Sequence, residues 1–142
     1  MPNNPYQEFR FRVEISGIAL AGFSEVTIGE ATIDVVEYRE GTDPTHIRKL
    51  SGLTRYANIT LRRGMTATLD LFHWFHAVST LGADANRRSV TIFVQDDAGV
   101  DVLELKVERA WPARYHIGEL DARRSAVLIE AVELAHEGYA WA

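Results

Sequence analysis

Hydrophobic and polar positions alternate with a period of two along most of this chain. Phe9, Phe11, Val13 and Ile15 alternate with Arg10, Arg12, Glu14 and Ser16, which predicts a strand with one buried face. Gly17 and Gly22 then break the alternation. A second strand is expected from Thr32 to Arg39, carrying Ile33, Val35 and Val36, and a third from Ala57 to Arg63, with Ile59 and Leu61 on one face. Between them, Glu40 to Arg55 holds Gly41, Asp43-Pro44 and Ser51-Gly52, which are turn signals, and reads as a long charged loop. Further on, Val90, Ile92 and Val94 alternate with Thr91, Phe93 and Gln95. Asp96-Asp97-Ala98-Gly99 reads as a hairpin turn, after which Leu103, Leu105 and Val107 resume the alternation. Trp111-Pro112 is expected to bend or end that strand, since proline has no N–H for a ladder.

One segment breaks the period. Leu71, Trp74, Phe75 and Val78 fall at i, i+3, i+4 and i+7, the spacing of an amphipathic helix. The helix is expected over about Thr68–Leu81, with Thr66 or Thr68 as its cap, Asp70 in the first turn and Gly82 at the end. The last expected strand, Val127–Glu137, is apolar on both faces. Leu128, Glu130, Val132 and Leu134 share one face; Val127, Ile129, Ala131, Glu133 and Ala135 share the other, so each face also holds a carboxylate. Such a strand is covered on both sides. Many short strands and one helix predict a mainly β fold, an antiparallel β-barrel or sandwich with one packed α-helix.

At 142 residues, 46% hydrophobic and 25% charged, the chain is expected to form a single domain over 1–142 with ordinary soluble composition. A formal net charge of −5 argues against direct nucleic-acid recognition, which needs a basic surface. The absence of cysteine excludes a disulfide scaffold and thiolate chemistry. The start shows no positive, then apolar, secretory signal, so cytoplasmic folding is expected. No apolar run has the length of a membrane span, so stable membrane insertion by the subunit itself is not expected.

Candidate chemistry is sparse. His73 and His76 lie three apart on the predicted helix and share a face, yet no third ligand accompanies them. Glu130 and Glu133 point to opposite faces of a strand and cannot flank one substrate. Asp96-Asp97 lacks the other ligands of a calcium loop, and Asn58-Ile59-Thr60 reads as strand sequence. Phe72, Trp74 and Phe75 read as core, Arg87-Arg88 as a solvated loop. No catalytic, cofactor-binding or metal site is assigned. The stretch from 38 to 56 is the candidate site. It is long and mixes Leu50, Leu53 and Tyr56 with paired charges, a composition suited to docking on another protein. Tyr38, Arg39, Glu40, Arg48, Lys49, Leu50, Leu53, Arg55 and Tyr56 are its interface candidates. Two functional classes fit: a structural assembly subunit, or a monomeric small β-barrel that binds a ligand.

Ordered motifs extend the first class. They are Asn4-Pro5-Tyr6 with Phe9-Arg10-Phe11-Arg12-Val13-Glu14-Ile15, then Ala21-Gly22-Phe23-Ser24-Glu25-Val26, Glu37-Tyr38-Arg39-Glu40-Gly41, Lys49-Leu50-Ser51-Gly52-Leu53 and Asn58-Ile59-Thr60-Leu61-Arg62-Arg63-Gly64. Leu71-Phe72-His73-Trp74, Ala110-Trp111-Pro112, Leu120-Asp121-Ala122, Ile129-Glu130 and Glu133-Leu134-Ala135-His136-Glu137-Gly138 complete the series. In order and spacing the chain resembles the inner tail-tube proteins of contractile injection systems and contractile phage tails, related in fold to the haemolysin-coregulated protein of type VI secretion. Thr27-Ile28-Gly29 and Ser51 depart from the family's Ser-Gly-Leu and Lys-Leu-Pro-Gly-Leu patterns and affect loop geometry. The resemblance implies a non-enzymatic subunit forming hexameric rings stacked into a rigid hollow tube. It implies a sheath outside, baseplate, spike and terminating proteins at the ends, effector cargo in the lumen, and assembly in a bacterial or archaeal cytoplasm. The 38–56 stretch is then the expected contact between rings.

Overall fold

A computed structural model describes residues 10–18, 22–42, 45, 47–65, 67–118, 120–123 and 128–142. The sequence-predicted positions Phe9, Thr66 and Val127 and the Asp43-Pro44 turn lie outside them. In chain order the elements are β1 (Arg10–Ile15), β2 (Glu25–Thr27), β3 (Ala31–Tyr38), β4 (Arg48–Tyr56), β5 (Ile59–Gly64), α1 (Asp70–Leu81), a short 3-10 turn (Asp84–Asn86), β6 (Arg88–Gln95), β7 (Asp101–Ile117), β8 (Ile129–Ala135) and β9 (Tyr139–Trp141). The strands are antiparallel throughout. Their order is β1-β6-β7-β8-β5-β2, with β9 also on β7 and β3-β4 as a separate pair.

The architecture turns on β7. Up to Ala110 it pairs with β6; from Trp111 onward it pairs with β8. The strand therefore passes from one sheet into the other, a corner made by a bend as in packed-sheet folds. Arg109 at the corner has φ 53. Of the two outcomes expected from the proline, the strand bends but does not end. Pro112 sits opposite Leu134, beside a register shift between Pro112 and Arg114. A ladder already interrupted there tolerates a residue without an N–H. The expected strand over 127–137 stops at Ala135, and β9 comes next. Together β8 and β9 form one interrupted partner for β7: Trp111 faces Ala135 and Val107 faces Tyr139. Between them, the Glu108 N–H donates to the Gly138 carbonyl at 2.9 Å. Gly138 has φ 139, and a Cβ there would lie 3.2 Å from the Tyr56 ring, so a side chain is disfavoured twice over.

The core lies between the two sheets. Val13 and Ile15 of β1, Val90 and Ile92 of β6, Leu105 and Val107 of β7, Ile59 and Leu61 of β5, and Val132 and Leu134 of β8 are buried with Leu71 and Trp74 of the helix. The period-two reading therefore assigned the inward faces correctly. Trp74 is core and its indole N–H donates to the Asn86 carbonyl at 2.7 Å. Phe75 is half-buried, and Phe72 is on the surface. Gly82 ends the helix as expected, its N–H on the Val78 carbonyl at 2.9 Å. The start differs. Leu69, in the left-handed region with φ 53, occupies the cap position with no side-chain cap hydrogen bond. Asp70 instead accepts the Leu71 N–H at 2.9 Å.

Asp70 is held by a buried charge. Arg63 stands opposite Glu130 in the β5–β8 ladder, both side chains facing the core. The Arg63 Nε donates to Glu130 Oε1 at 2.7 Å, and its Nη2 donates to Asp70. The Tyr115 hydroxyl donates to Glu130 Oε2 at 2.7 Å. Burial acts to lower the Arg63 pKa, but the hydrogen bonds to Glu130 and Asp70 outweigh it and the net direction is up. This cluster ties the helix start to β5, β7 and β8.

Candidate assembly interface

Half of the segment expected as a long loop is strand. Its second half is β4, paired with β3 from Ala31–Tyr56 to Tyr38–Arg48. The pair continues a register begun in the body: Glu25 faces Arg62 and Thr27 faces Thr60 in β2–β5, then Ala31 faces Tyr56. A backbone bond from Ala57 N–H to the Glu30 carbonyl, 2.9 Å, spans the joint. One antiparallel ribbon thus runs from the sheet edge outward, and its outer part is an arm. The eight residues of β3 extend roughly 26 Å at about 3.3 Å per residue. Sequence pattern missed the strand because neither arm face joins the core, so no apolar-in, polar-out alternation marks it.

Register sorts the arm's side chains onto two faces, since directly opposed residues share a side. Between Ile33–Thr54 and Val35–Ser51, β3 has one residue, Asp34, and β4 has two, Gly52 and Leu53, so the bulge is in β4. One face carries Asp34, Val36, Tyr38, Arg48, Leu50, Leu53 and Arg55. The other carries Ile33, Val35, Glu37, Lys49, Ser51 and Thr54. Leu50 and Leu53 are 51% and 68% exposed, and they share the first face. That face holds an apolar stripe of Val36, Leu50 and Leu53 beside the Arg55–Asp34 pair at 3.1 Å; the second sets Glu37 directly opposite Lys49 next to Ile33 and Val35. Gly52 lies in the bulge, where an added Cβ would meet Val36 and Asp34 at 3.1–3.2 Å.

Eight of the nine sequence candidates therefore lie on the arm's exposed surface. Tyr38, Arg48, Leu50, Leu53 and Arg55 share one face, Lys49 lies on the other, and Arg39 and Glu40 continue from β3 toward the tip. The Tyr38 hydroxyl donates to Glu40 at 2.9 Å, which raises the phenol pKa. Tyr56 has a different place. It packs edge-on to Tyr139 with ring centres 5.1 Å apart and 5.8 Å from His136, so it roots the arm in the body. Sequence reasoning missed Ile33, Val35, Val36 and Ile47 as surface residues; all are more than 45% exposed. Adjacent Val35-Val36 put apolar side chains on both faces of one strand, which was the available signal.

The other candidates fall elsewhere. His73 and His76 lie on the exposed side of α1, and Phe72 stacks on His76 at 5.9 Å. Among the described residues no group of three or more His, Asp or Glu is placed to hold a metal. Glu130 and Glu133 do face opposite ways: Glu130 is in the buried cluster, and Glu133 accepts from Asn58 Nδ2 at 2.9 Å on the outer face. Arg87-Arg88 is not a solvated loop. Arg87 reaches Asp84 at 3.4 Å and Glu137 at 3.5 Å, and Arg88 begins β6 with its guanidinium on the Ser16 carbonyl and near the Trp74 ring.

A filled two-sheet body with an apolar-striped arm projecting from its sheet edge is the construction of a structural subunit that assembles with others. The chain belongs to the T4-like virus tail tube protein gp19 family, which it matches over residues 7–140. No curated protein matches it in sequence. Among solved structures, a chain of the anti-feeding prophage cap (AFP tube terminating cap) shares the fold with a TM-score of 0.81 at 21% identity, covering 98% of this chain and 91% of that one. A chain of the sheath–tube complex of the extracellular contractile injection system PVC, in its extended state, gives 0.81 at 23% identity over 99% and 93%. Hcp1 from Flavobacterium johnsoniae gives 0.55 at 16% identity over 92% and 93%. The family is one of structural tube proteins. No helix among the described residues is long and apolar enough to cross a membrane.

Proposed function

We propose that this chain closes into hexameric rings that stack into the rigid inner tube of a contractile injection particle or phage-like tail. A sheath surrounds the tube, baseplate, spike and terminating proteins close its ends, and effector cargo passes through the lumen. The observation that carries this reading is the arm: a β-ribbon continuous with the body, apolar on one face and exposed along its length. Isolated two-stranded ribbons are marginal in water, and free apolar edges pair with other chains. A contact between unlike patches closes into rings by rotation. Assembly in a bacterial or archaeal cytoplasm belongs to the same reading.

The alternative, a monomeric barrel holding a ligand, needs a cavity between the sheets. That space is filled by Ile59, Leu61, Leu105, Val107, Val132 and Leu134, each no more than 1% exposed. One surface groove, about 220 Å³, is lined by Thr60, Arg62, Arg114, His116 and Glu133 on the outside of the β5–β8–β7 sheet. Light scattering with negative-stain imaging tests the proposal. Rings or tubes roughly a hundred ångströms wide, the scale of six such domains around a channel, are expected. A strictly monomeric species at high concentration would overturn it.

A further inference from the structure

His136 is fastened at both ring nitrogens. Its Nε2 lies 3.0 Å from the Ala57 carbonyl, and the Gly138 N–H donates to its Nδ1 at 3.1 Å. A carbonyl only accepts and an N–H only donates, so with both bonds made the ring is neutral and its hydrogen is on Nε2. The two partners belong to different parts of the molecule. Ala57 is at the joint of the arm, next to Tyr56 of β4, and its own N–H donates to the Glu30 carbonyl across the ribbon. Gly138 belongs to the body. Its carbonyl accepts from the Glu108 N–H at 2.9 Å, and the neighbouring Glu137 N–H donates to the Glu108 carbonyl at 3.0 Å. The imidazole also packs against Tyr56 and Tyr139, with ring centres 5.8 and 6.0 Å away.

We propose that neutral His136 is the positioning residue that sets the arm's direction, and that a proton added at Nδ1 releases the arm. A protonated Nδ1 no longer accepts, and two N–H groups then face each other. Gly138 is pinned by the Glu108 bonds and closed in by the Tyr56 ring. The imidazole is therefore what turns, giving up Ala57 and its packing on Tyr56. An arm loosened at its root is a lone two-stranded ribbon, which is marginal in water. Among the described residues no carboxylate or guanidinium bonds to the ring to offset the added charge. Glu133 of β8 is taken by Asn58, Glu137 by Arg87 and Arg109, and the side chains of Glu30 and Glu108 are exposed. The titratable rings against it are Tyr56 and Tyr139. Resting on the tube-assembly reading, this makes assembly acid-sensitive: the latch exists only with the neutral ring, so the arm is held at neutral pH and freed as pH falls below the ordinary imidazole range, about 6.5.

NMR of the unassembled subunit with isotope-labelled histidine, assigned through His136→Gln, is expected to show a bare Nδ1 and a hydrogen on Nε2 at neutral pH. Amide protection of the β3–β4 ladder, measured against that of the β5–β8 ladder, is expected to fall at least tenfold between about pH 7.5 and about pH 5. A glutamine amide donates toward Ala57 and takes up no proton, so in His136→Gln this ratio is expected to be the same at both pH values. A hydrogen on Nδ1 would overturn the proposal. So would an unchanged ratio in the unmodified protein, whether both ladders hold or both open, and so would an undiminished fall in His136→Gln. Tubes that form as well at about pH 5 as at neutral pH would overturn it too. Rings absent at every pH would remove the tube reading, while the NMR and exchange results on the single subunit would still decide the latch.

Discussion

At the scale of single residues, the Arg63–Glu130 pair dominates. Each charge is buried and has two partners: Arg63 donates to Glu130 and Asp70, and Glu130 accepts from Arg63 and Tyr115. Arg63→Met strands the Glu130 carboxylate and is expected to destabilise by about 3–5 kcal/mol. The double variant Arg63→Met/Glu130→Leu is expected to recover part of that loss, because the buried carboxylate is gone while Asp70 and the Tyr115 hydroxyl still lose a partner. Urea unfolding midpoints at unchanged m value would measure both, and a double variant as weak as the single one would mean the pair does more than neutralise itself. Tyr115 carries a pH prediction. Burial first, then its hydrogen bond to Glu130, pushes the phenol pKa well above its ordinary value. A raised folded pKa means the contribution is fully present below about pH 10 and lost as pH rises toward the folded value. Tyr115 is expected to ionise late, above the ordinary tyrosine range, in an alkaline absorbance titration, with unfolding alongside. Tyr115→Phe should abolish the late step and cost about 1–3 kcal/mol at neutral pH, by leaving Glu130 Oε2 short of a donor.

Among elements, the arm's apolar stripe carries the assembly prediction. Leu50→Asp and Leu53→Asp place a carboxylate on the same face, so they probe one contact. Both subunits are expected to keep a β-rich circular-dichroism spectrum and a near-normal melting temperature, since neither side chain belongs to the core. Each should abolish long tubes, because a carboxylate pressed into an apolar contact is unpaired. Lys49→Glu has a cause inside the subunit as well, since it faces Glu37 across the ribbon and adds a like-charge pair of about 0.2–1 kcal/mol. The swap Glu37→Lys/Lys49→Glu restores that pair. If tubes return in the swap, Lys49 acts within the arm; if they stay absent, Lys49 meets a neighbour. Tube lengths by electron microscopy distinguish these outcomes.

For the whole assembly, six chains of formal charge −5 would carry −30 in each proposed ring. Part of that charge is expected on the channel wall, where it repels acidic cargo and limits adhesion. A cryo-EM map with a predominantly basic inner wall would contradict this. The subunit itself offers two polar outer sheet faces. One holds Arg12, Glu14, Thr91, Glu104 and Lys106; the other holds Thr60, Arg62, Arg114, His116 and Glu133. Only the ring decides which of them meets the lumen.

Period-two patterning determined the body by itself. Where one face is buried, a one-residue slip would expose the whole apolar set, so β1, β5, β6 and the first half of β7 are legible from Val13, Ile59, Ile92 and Leu105. The lone change of period located α1, and the spaced motifs identified the family. What the tertiary structure alone decided lies where local pattern has no energetic reason to alternate. β4 is a strand because β3 is beside it, and neither face of the pair belongs to the core. β2 is three residues long, too short for a periodic signal, and exists as the root of that ribbon. β7 continues past Pro112 because the corner between sheets falls there. Nothing in the sequence pairs Arg63 with Glu130, yet facing each other across the β5–β8 ladder they can both be buried. The same pairing register, set by contacts far apart in the chain, puts Leu50 and Leu53 on one face of the arm although they are three residues apart.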